Sequence, residues 1–353
     1  TMEHRKIISK LMLNCQVSNL TAAALAAKGC TTPENVVEKY NIDSLSDPFL
    51  IADMDAAAET INNAIDNGEK ICIYGDYDCD GIISTVILFS YLFEAGADVI
   101  YYIPERSEGY GLSRNAADSI RNDGVDLIIT VDNGISAVEE AEYIYDLGMR
   151  LVITDHHQQG DTLPRAEAVV DPHRHDDTSP FKNLCGAGIA LKLTAALDGG
   201  DYTFAMEQFG DLAAIATVAD IVSLTGENRY IVKKGLEKLE RDPRPGLRAL
   251  IEEAGLGEKK ITATNVGFTL APRLNASGRL GQVESAIELL LADSERRAAG
   301  CAADLCQLNR DRQQLESDIW RDTTIRPEIY ELYDEENRRV LVIEVPSRPI
   351  GKV

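Results

Sequence analysis

What this chain of 353 residues lacks narrows it first. It has no apolar run near the roughly 18 residues that suggest a membrane-crossing helix, and its opening TMEHRKIISKLMLNC has no signal-like apolar stretch. Its seven cysteines, Cys15, Cys30, Cys72, Cys79, Cys185, Cys301 and Cys306, are odd in number and scattered. They fit neither a disulfide framework nor zinc-ligand spacing. The expectation is a reduced, cytoplasmic protein with no membrane partner. Positive charge is scarce: 35 Lys and Arg stand against 58 Asp and Glu, a formal net charge of −23. That balance argues against a broad basic face for a polyanion. A local groove can still be positive on an acidic body, and bound cations offset carboxylates. No internal repeat or low-complexity tract stands out.

What is there is a globular composition, 44% hydrophobic and 26% charged, with the length of about two domains at roughly 150 residues each. The first 50 residues alternate short helical patterns with loops. From residue 69 another rhythm begins: EKICIYG (69–75), ADVIYYIP (97–104), DLIITVDNG (126–134), RLVITDHH (150–157) and AEAVVDP (166–172) are short runs rich in Ile and Val. Between most of them lie helical patterns such as GIISTVILFSYLFEAG (81–96) and SAVEEAEYIYDLG (136–148). This alternation predicts an α/β fold, a parallel sheet with helices on both faces. AEAVVDP has no obvious helix before it, so its partner and direction stay open. Residues 185–293 predict mostly helix, and 294–326 predict one long connecting helix. RRVLVIEV (338–345) then predicts a strand shortly before the chain ends. The expected organisation is a helical segment (1–50), a main domain (51–293, with its α/β core at about 69–175), the connecting helix, and the start of a second domain (327–353).

The stretch YGDYDCDGI (74–82) sets Asp76, Asp78 and Asp80 at alternate positions. In extended backbone, residues two apart share a side. Two like charges about 4 Å apart repel by roughly 4 kcal/mol at an effective dielectric near 20, so either a positive group belongs there or the turn is open and hydrated. Three predicted strands end in acid: CIYGDYDCD, IITVDNG and LVITDHH. In an open parallel sheet the carboxyl ends of the strands share one edge, where ligands bind. Asp76, Asp78, Asp80, Asp132, Asp155, His156 and His157 should therefore converge, and Asp220 of ATVADIVSL is a fourth contributor. Each piece has a plain structural reading, such as an Asp-rich turn or the hairpin signal DNG; three together at strand ends do not. Oxygen ligands mixed with imidazole suit Mn2+ or Mg2+, and their number suffices for two ions.

DYDCDG, VDNG, TDHH and VADIV resemble the motifs of the DHH phosphoesterases. PERSEGYGL (104–112), LCGAGIALKL (184–193), APRLNASGRLG (271–281) and LNRDRQQLE (308–316) resemble the RecJ-type single-strand-specific exonucleases within that superfamily. Cys79 and Ser223 stand where Ala and Pro are usual, and neither change removes a ligand. The resemblance implies that Asp78 and Asp80 each hold one metal, with Asp76 at the first site or bracing it. Asp132 would bridge, and His156 and Asp220 would complete the second site. His157 would contact the scissile phosphate, with Asp155 orienting a histidine. It further implies two-metal hydrolysis of phosphodiesters, a single-stranded nucleic acid (DNA) as partner, and 5′ to 3′ exonuclease action in repair and recombination.

Substrate contacts are expected elsewhere. Arg273 and Arg279 offer guanidiniums for phosphate beside the Asn275 amide, with pairing of these arginines to the surplus acids as the alternative. Arg106 and Tyr110 could hold phosphate and base, and Gly186 and Gly188 could present amides at a helix start. His173 and His175 sit in a polar loop and read as solvated. The resemblance also implies a fuller second domain, so the chain reads as shortened. Two alternatives stand beside the exonuclease: a DHH phosphodiesterase on short oligonucleotides or cyclic dinucleotides, and a non-catalytic DHH scaffold.

Overall fold

The computed structural model describes residues 2–324. The strand expected at 338–345 and the domain expected at 327–353 lie outside the described residues.

Three helices open the chain, α1 (Met2–Cys15), α2 (Asn19–Ala27) and α3 (Pro33–Tyr40), around a small core of Leu11, Ala22 and Cys30. Ser18 and Thr32 start α2 and α3 by accepting from the amides of Thr21 and Asn35. Next come α4 (Met54–Asp66), β1 (Lys70–Tyr74), α5 (Cys79–Glu94), β2 (Asp98–Tyr102), α6 (Arg114–Asn122), β3 (Leu127–Val131), α7 (Val138–Asp146), β4 (Arg150–Thr154) and β5 (Ala168–Val170). A helical half follows: α8 (Gly186–Leu197), α9 (Tyr202–Ala219), α10 (Gly226–Arg241), α11 (Pro245–Glu253), the short α12 (Ala263–Asn265), α13 (Ala271–Arg279), α14 (Val283–Leu290) and the 30-residue α15 (Glu295–Thr324).

The sheet runs β2-β1-β3-β4-β5 with every pair parallel, as the alternating pattern predicts. A parallel sheet is covered on both faces, which is why its strands are nearly continuous runs of Ile and Val. Ile71, Ile73, Ile129, Val131 and Val152 share one core with α4, α5, α8 and α9. Their alternates Cys72, Tyr74, Ile128, Leu151 and Ile153 share a second core with α6 and α7. The open question of AEAVVDP is answered: β5 pairs parallel to β4 with Ile153 opposite Val169, and the crossover between them contains no helix.

Two local features matter later. Between α12 and α13 lies one π turn, Val266–Leu270, where Ala271 N–H bonds back to the Val266 carbonyl. Pro272 accounts for it: proline has no N–H to give the carbonyl four residues earlier, so the ladder shifts. The second feature is a buried ion pair. Lys192 Nζ lies 2.8 Å from Glu227 and also donates to the Ser46 carbonyl, joining α8, α10 and the loop after α3. Among the described residues, no helix is long and apolar enough to cross a membrane.

Candidate metal centre

The strand order reverses between β1 and β3, and the crevice of such a sheet opens at the carboxyl ends of those two strands. Asp76, just past β1, is buried, and its Oδ1 has no hydrogen-bond partner. Burial, with Asp78 beside it, pushes its pKa up to about 7. Asp78 is the N-cap of α5: one oxygen accepts from the amides of Asp80 (2.9 Å) and Gly81 (3.0 Å). Asp80 lies in the first turn of α5 and is buried. Burial, then the charges of Asp220 and Asp78, raise it to about 8 although two amides stabilise its charge.

Asp132 follows β3 at φ 62°, a left-handed conformation that aspartate tolerates. The DNG it begins is therefore no hairpin but the link from β3 to α7. A Cβ on Gly186 would come within 2.6 Å of the Asp132 Cβ, so only glycine lets α8 start this close. Asp132 Oδ1 has no hydrogen-bond partner and lies 2.9 Å from His156 Nε2. Burial and then Asp80 raise this carboxyl well above the usual range.

Past β4, burial works against the charge of Asp155. The hydrogen bond from His157 Nδ1 at 2.7 Å, with amides of Ile135 and His156, outweighs it and holds Asp155 low. The same bond raises His157, whose side chain is about half exposed. His156 is the opposite case: burial, then the neighbouring His157, lower it to about 4, so the ring is neutral and able to ligate. Its Nδ1 lies 3.8 Å from Asp220, the C-cap of α9, which burial and then Asp78 raise to about 6.

Three sets of ligand atoms each fall within 4.8 Å of one another: Asp76, Asp78 and Asp132; Asp80, His156 and Asp220; and Asp132, His156 and His157. Buried carboxylate oxygens without partners, several carboxyls raised by burial and then by neighbouring acids, and a neutral histidine are what a divalent-cation site needs. The donors present fit Mn2+ or Mg2+, and the first two sets fit one ion each.

The residues expected to grip substrate divide. Gly186 and Ala187 donate their amides to the Asp80 carboxylate at 2.6 and 2.8 Å, so the anion at this helix start is the protein's own. Gly186 thus holds the Asp80 carboxylate, and Gly188, itself buried, packs on Leu184. Arg273 is likewise drawn inward: its Nη1 donates to the Thr269 carbonyl in the π turn (2.5 Å) and its Nε to Cys306 Sγ (3.1 Å). Among the described residues neither Arg273 nor Arg279 pairs with a carboxylate. Arg106 lies over the Tyr77 ring at 5.7 Å, and the exposed Arg279 is close enough for its charge to act on that phenol. The Tyr110 hydroxyl donates to the Asp132 carbonyl (3.2 Å) and sits 3.3 Å from His157.

Asn275 acts on the metal loop itself, since its Oδ1 accepts from Cys79 N–H at 2.8 Å. Gly278 makes that docking possible, because a Cβ there would meet the Tyr77 carbonyl at 1.9 Å. Asn275→Ala should lower Mn2+ affinity by roughly 10–100-fold, the usual cost of losing a group that braces ligands, with little change in helix content. Isothermal titration with Mn2+ checks this; wild-type affinity would free Asn275 from a positioning role.

Asp171 is a site neighbour that the sequence reading does not single out, and His173 lies beside it. Asp171 ends β5 as the other acids end theirs, is fully buried with Oδ2 unpartnered, and is raised by burial to about 8. Its Oδ1 accepts from His173 N–H, and His173 Nδ1 lies 2.5 Å from the His156 carbonyl. The run AVVDP carried the signal. His173 is thus half-buried and engaged, not solvated as expected, while His175 is exposed.

The DHH family N-terminal domain matches residues 70–217. The chain is 42% identical over 314 residues to the single-stranded-DNA-specific exonuclease RecJ of Bacillus subtilis (strain 168), a match spanning 88% of this chain and 39% of that protein. It is 32% identical to the crystal structure of RecJ in complex with Mn2+ from Thermus thermophilus, with a TM-score of 0.77 over 90% of this chain and 46% of that one. It is 36% identical to the crystal structure of exonuclease RecJ bound to manganese, with a TM-score of 0.71 over 79% of this chain and 71% of that one. The chain thus spans well under half the length of the B. subtilis relative.

Proposed function

The chain belongs to the DHH family and, within it, to the RecJ proteins, and from that premise we propose that it is a two-metal phosphodiesterase acting as a 5′ to 3′ exonuclease on single-stranded DNA. Its role would be in repair and recombination. The observation that carries this reading is the gathering of Asp76, Asp78, Asp80, Asp132, His156 and Asp220 from four separate segments around the β1–β3 crevice, with buried oxygens left unpaired.

Asp76, Asp78 and Asp132 would hold one ion and Asp80, His156 and Asp220 the other, with Asp132 between them. A pair of divalent ions, when bound, activates water and neutralises charge developing on the phosphoryl oxygens. His157, its pKa raised by the bond to Asp155 and its ring half exposed, would meet the scissile phosphate. Tyr110 would limit the swing of that ring. Arg106, over the Tyr77 ring, and the exposed Arg279 would supply positive charge that the acidic body lacks and take phosphates of the strand. Free thiols throughout favour a reducing compartment, and we place the protein in the cytoplasm.

The test offers 5′-labelled single-stranded DNA, duplex DNA, short RNA and a cyclic dinucleotide in parallel with Mn2+. Mononucleotides should leave the 5′ end of the single strand, duplex should resist, and chelation should stop the reaction. Turnover of the cyclic dinucleotide alone would replace the exonuclease reading, and turnover of none would leave a scaffold.

A further inference from the structure

Two large apolar side chains stand in solvent, Ile221 next to the ligand Asp220 and Phe268 on the π turn that packs against the same end of α9. Ile221 directly follows Asp220, is 89% exposed, and is held at φ 61°, a region in which a β-branched residue is a genuine outlier. Phe268 is 84% exposed on the π turn, the kind of helix defect that concentrates at functional sites. The two features meet on the last turn of α9. Val218 accepts the Ile221 amide at 3.4 Å, and its Cγ1 would lie 3.5 Å from a Cβ on Gly267, the residue before Phe268. Neither exposed side chain serves the core. Backbone strain of this sort persists only where the surroundings impose it, and it clusters at ligand clamps.

We infer that Phe268 and Ile221 form a base-binding subsite, in which an unpaired nucleobase next to the phosphate at the metal centre packs on the Phe268 ring with Ile221 at its edge. The inference rests on the phosphodiesterase reading. The occupant follows from chemistry: the adjoining carboxylates and histidines fit metal ions and a phosphodiester. In a nucleic acid, the apolar surface nearest a phosphate is the face of its base. An aromatic platform takes any base that offers a free face, whereas a base stacked inside a duplex offers none. The subsite would therefore favour single strands without reading sequence.

Phe268→Ala and Ile221→Gly test it, each in the full chain, on 5′-labelled oligothymidylate and on the same strand with abasic residues at its first three positions. Wild type should show a KM roughly tenfold higher for the abasic strand, the weight of about one stacked base. Phe268→Ala should raise KM on the intact strand by a similar factor and leave the abasic strand unchanged, because both changes remove the same contact. Ile221→Gly should act in the same direction by a few-fold while its melting temperature holds or rises, since glycine relieves the left-handed strain. Mn2+ affinity by calorimetry should match wild type in both. Equal losses on the two strands, or none on either, would overturn the subsite while the nuclease reading stands. If wild type binds Mn2+ but cleaves neither strand, the phosphodiesterase reading falls and the subsite with it.

Discussion

Asp132→Ala is expected to abolish Mn2+-dependent cleavage while the protein stays folded. Asp132 belongs to two of the three ligand sets, and its carboxylate lies 2.9 Å from the His156 ring. Losing it should cost far more than the roughly 10–100-fold of a bracing residue. Stability should change little. The side chain is a buried carboxyl whose Oδ1 has no hydrogen-bond partner and whose ionisation is disfavoured by burial and by Asp80. Losing that buried polar group helps, but alanine at φ 62° adds left-handed strain of about 1 kcal/mol, so without metal the variant should melt within a few degrees of wild type. Steady-state cleavage and thermal unfolding, run side by side, check both halves. Residual activity within about tenfold of wild type would remove Asp132 from between the ions.

The second large effect couples pH to metal. Asp76, Asp80 and Asp171 are raised to about 7, 8 and 8 from an ordinary 3.8, by burial first in each case. The folded protein therefore keeps protons that the unfolded chain has released. Where the folded state binds more protons, stability falls as pH rises. Lowered His156 opposes this trend, but only between about 4 and 6.5, so above 6.5 the carboxyls prevail. Without divalent metal, the melting temperature should fall from pH 6.5 to 8. Mn2+ needs Asp76 and Asp80 deprotonated, so it should bind more tightly across that interval. At a hundred times its dissociation constant one ion adds about 2.7 kcal/mol, or roughly 4 °C for a chain of this size. Mn2+ should thus stabilise strongly at pH 8 and weakly at pH 5.5. A shift equal at both values would separate the ions from these acids.

The sheet and its acid-tipped edge were legible because parallel strands buried on both faces have little choice but Ile and Val, and the first polar residue after each run marks its carboxyl end. The same rule pointed to Asp171, but β5 arrives without a helix before it, and the short run disguised its place in the sheet. The contacts around the site were harder to read. Spacing shows that α8 starts on glycines, not that Asp80 occupies its amides. Nothing in APRLNASGRLG shows that Arg273 turns to the Thr269 carbonyl, because that depends on where the π turn falls. Lys192 sits in the apolar run IALKLTAAL, and its partner Glu227 lies on another helix, so the buried pair could be seen only in three dimensions.

The two cores that clamp the sheet have a consequence for ion binding. Asp76, Asp132 and Asp155 each follow within two residues of a strand that cannot shift without opening a core on one side or the other. These anchor points cannot recoil from one another, so the electrostatic work of crowding acids together is done when the chain folds. A cation arriving later meets a cage of nearly fixed dimensions and selects itself by radius, with little reshaping of the polypeptide.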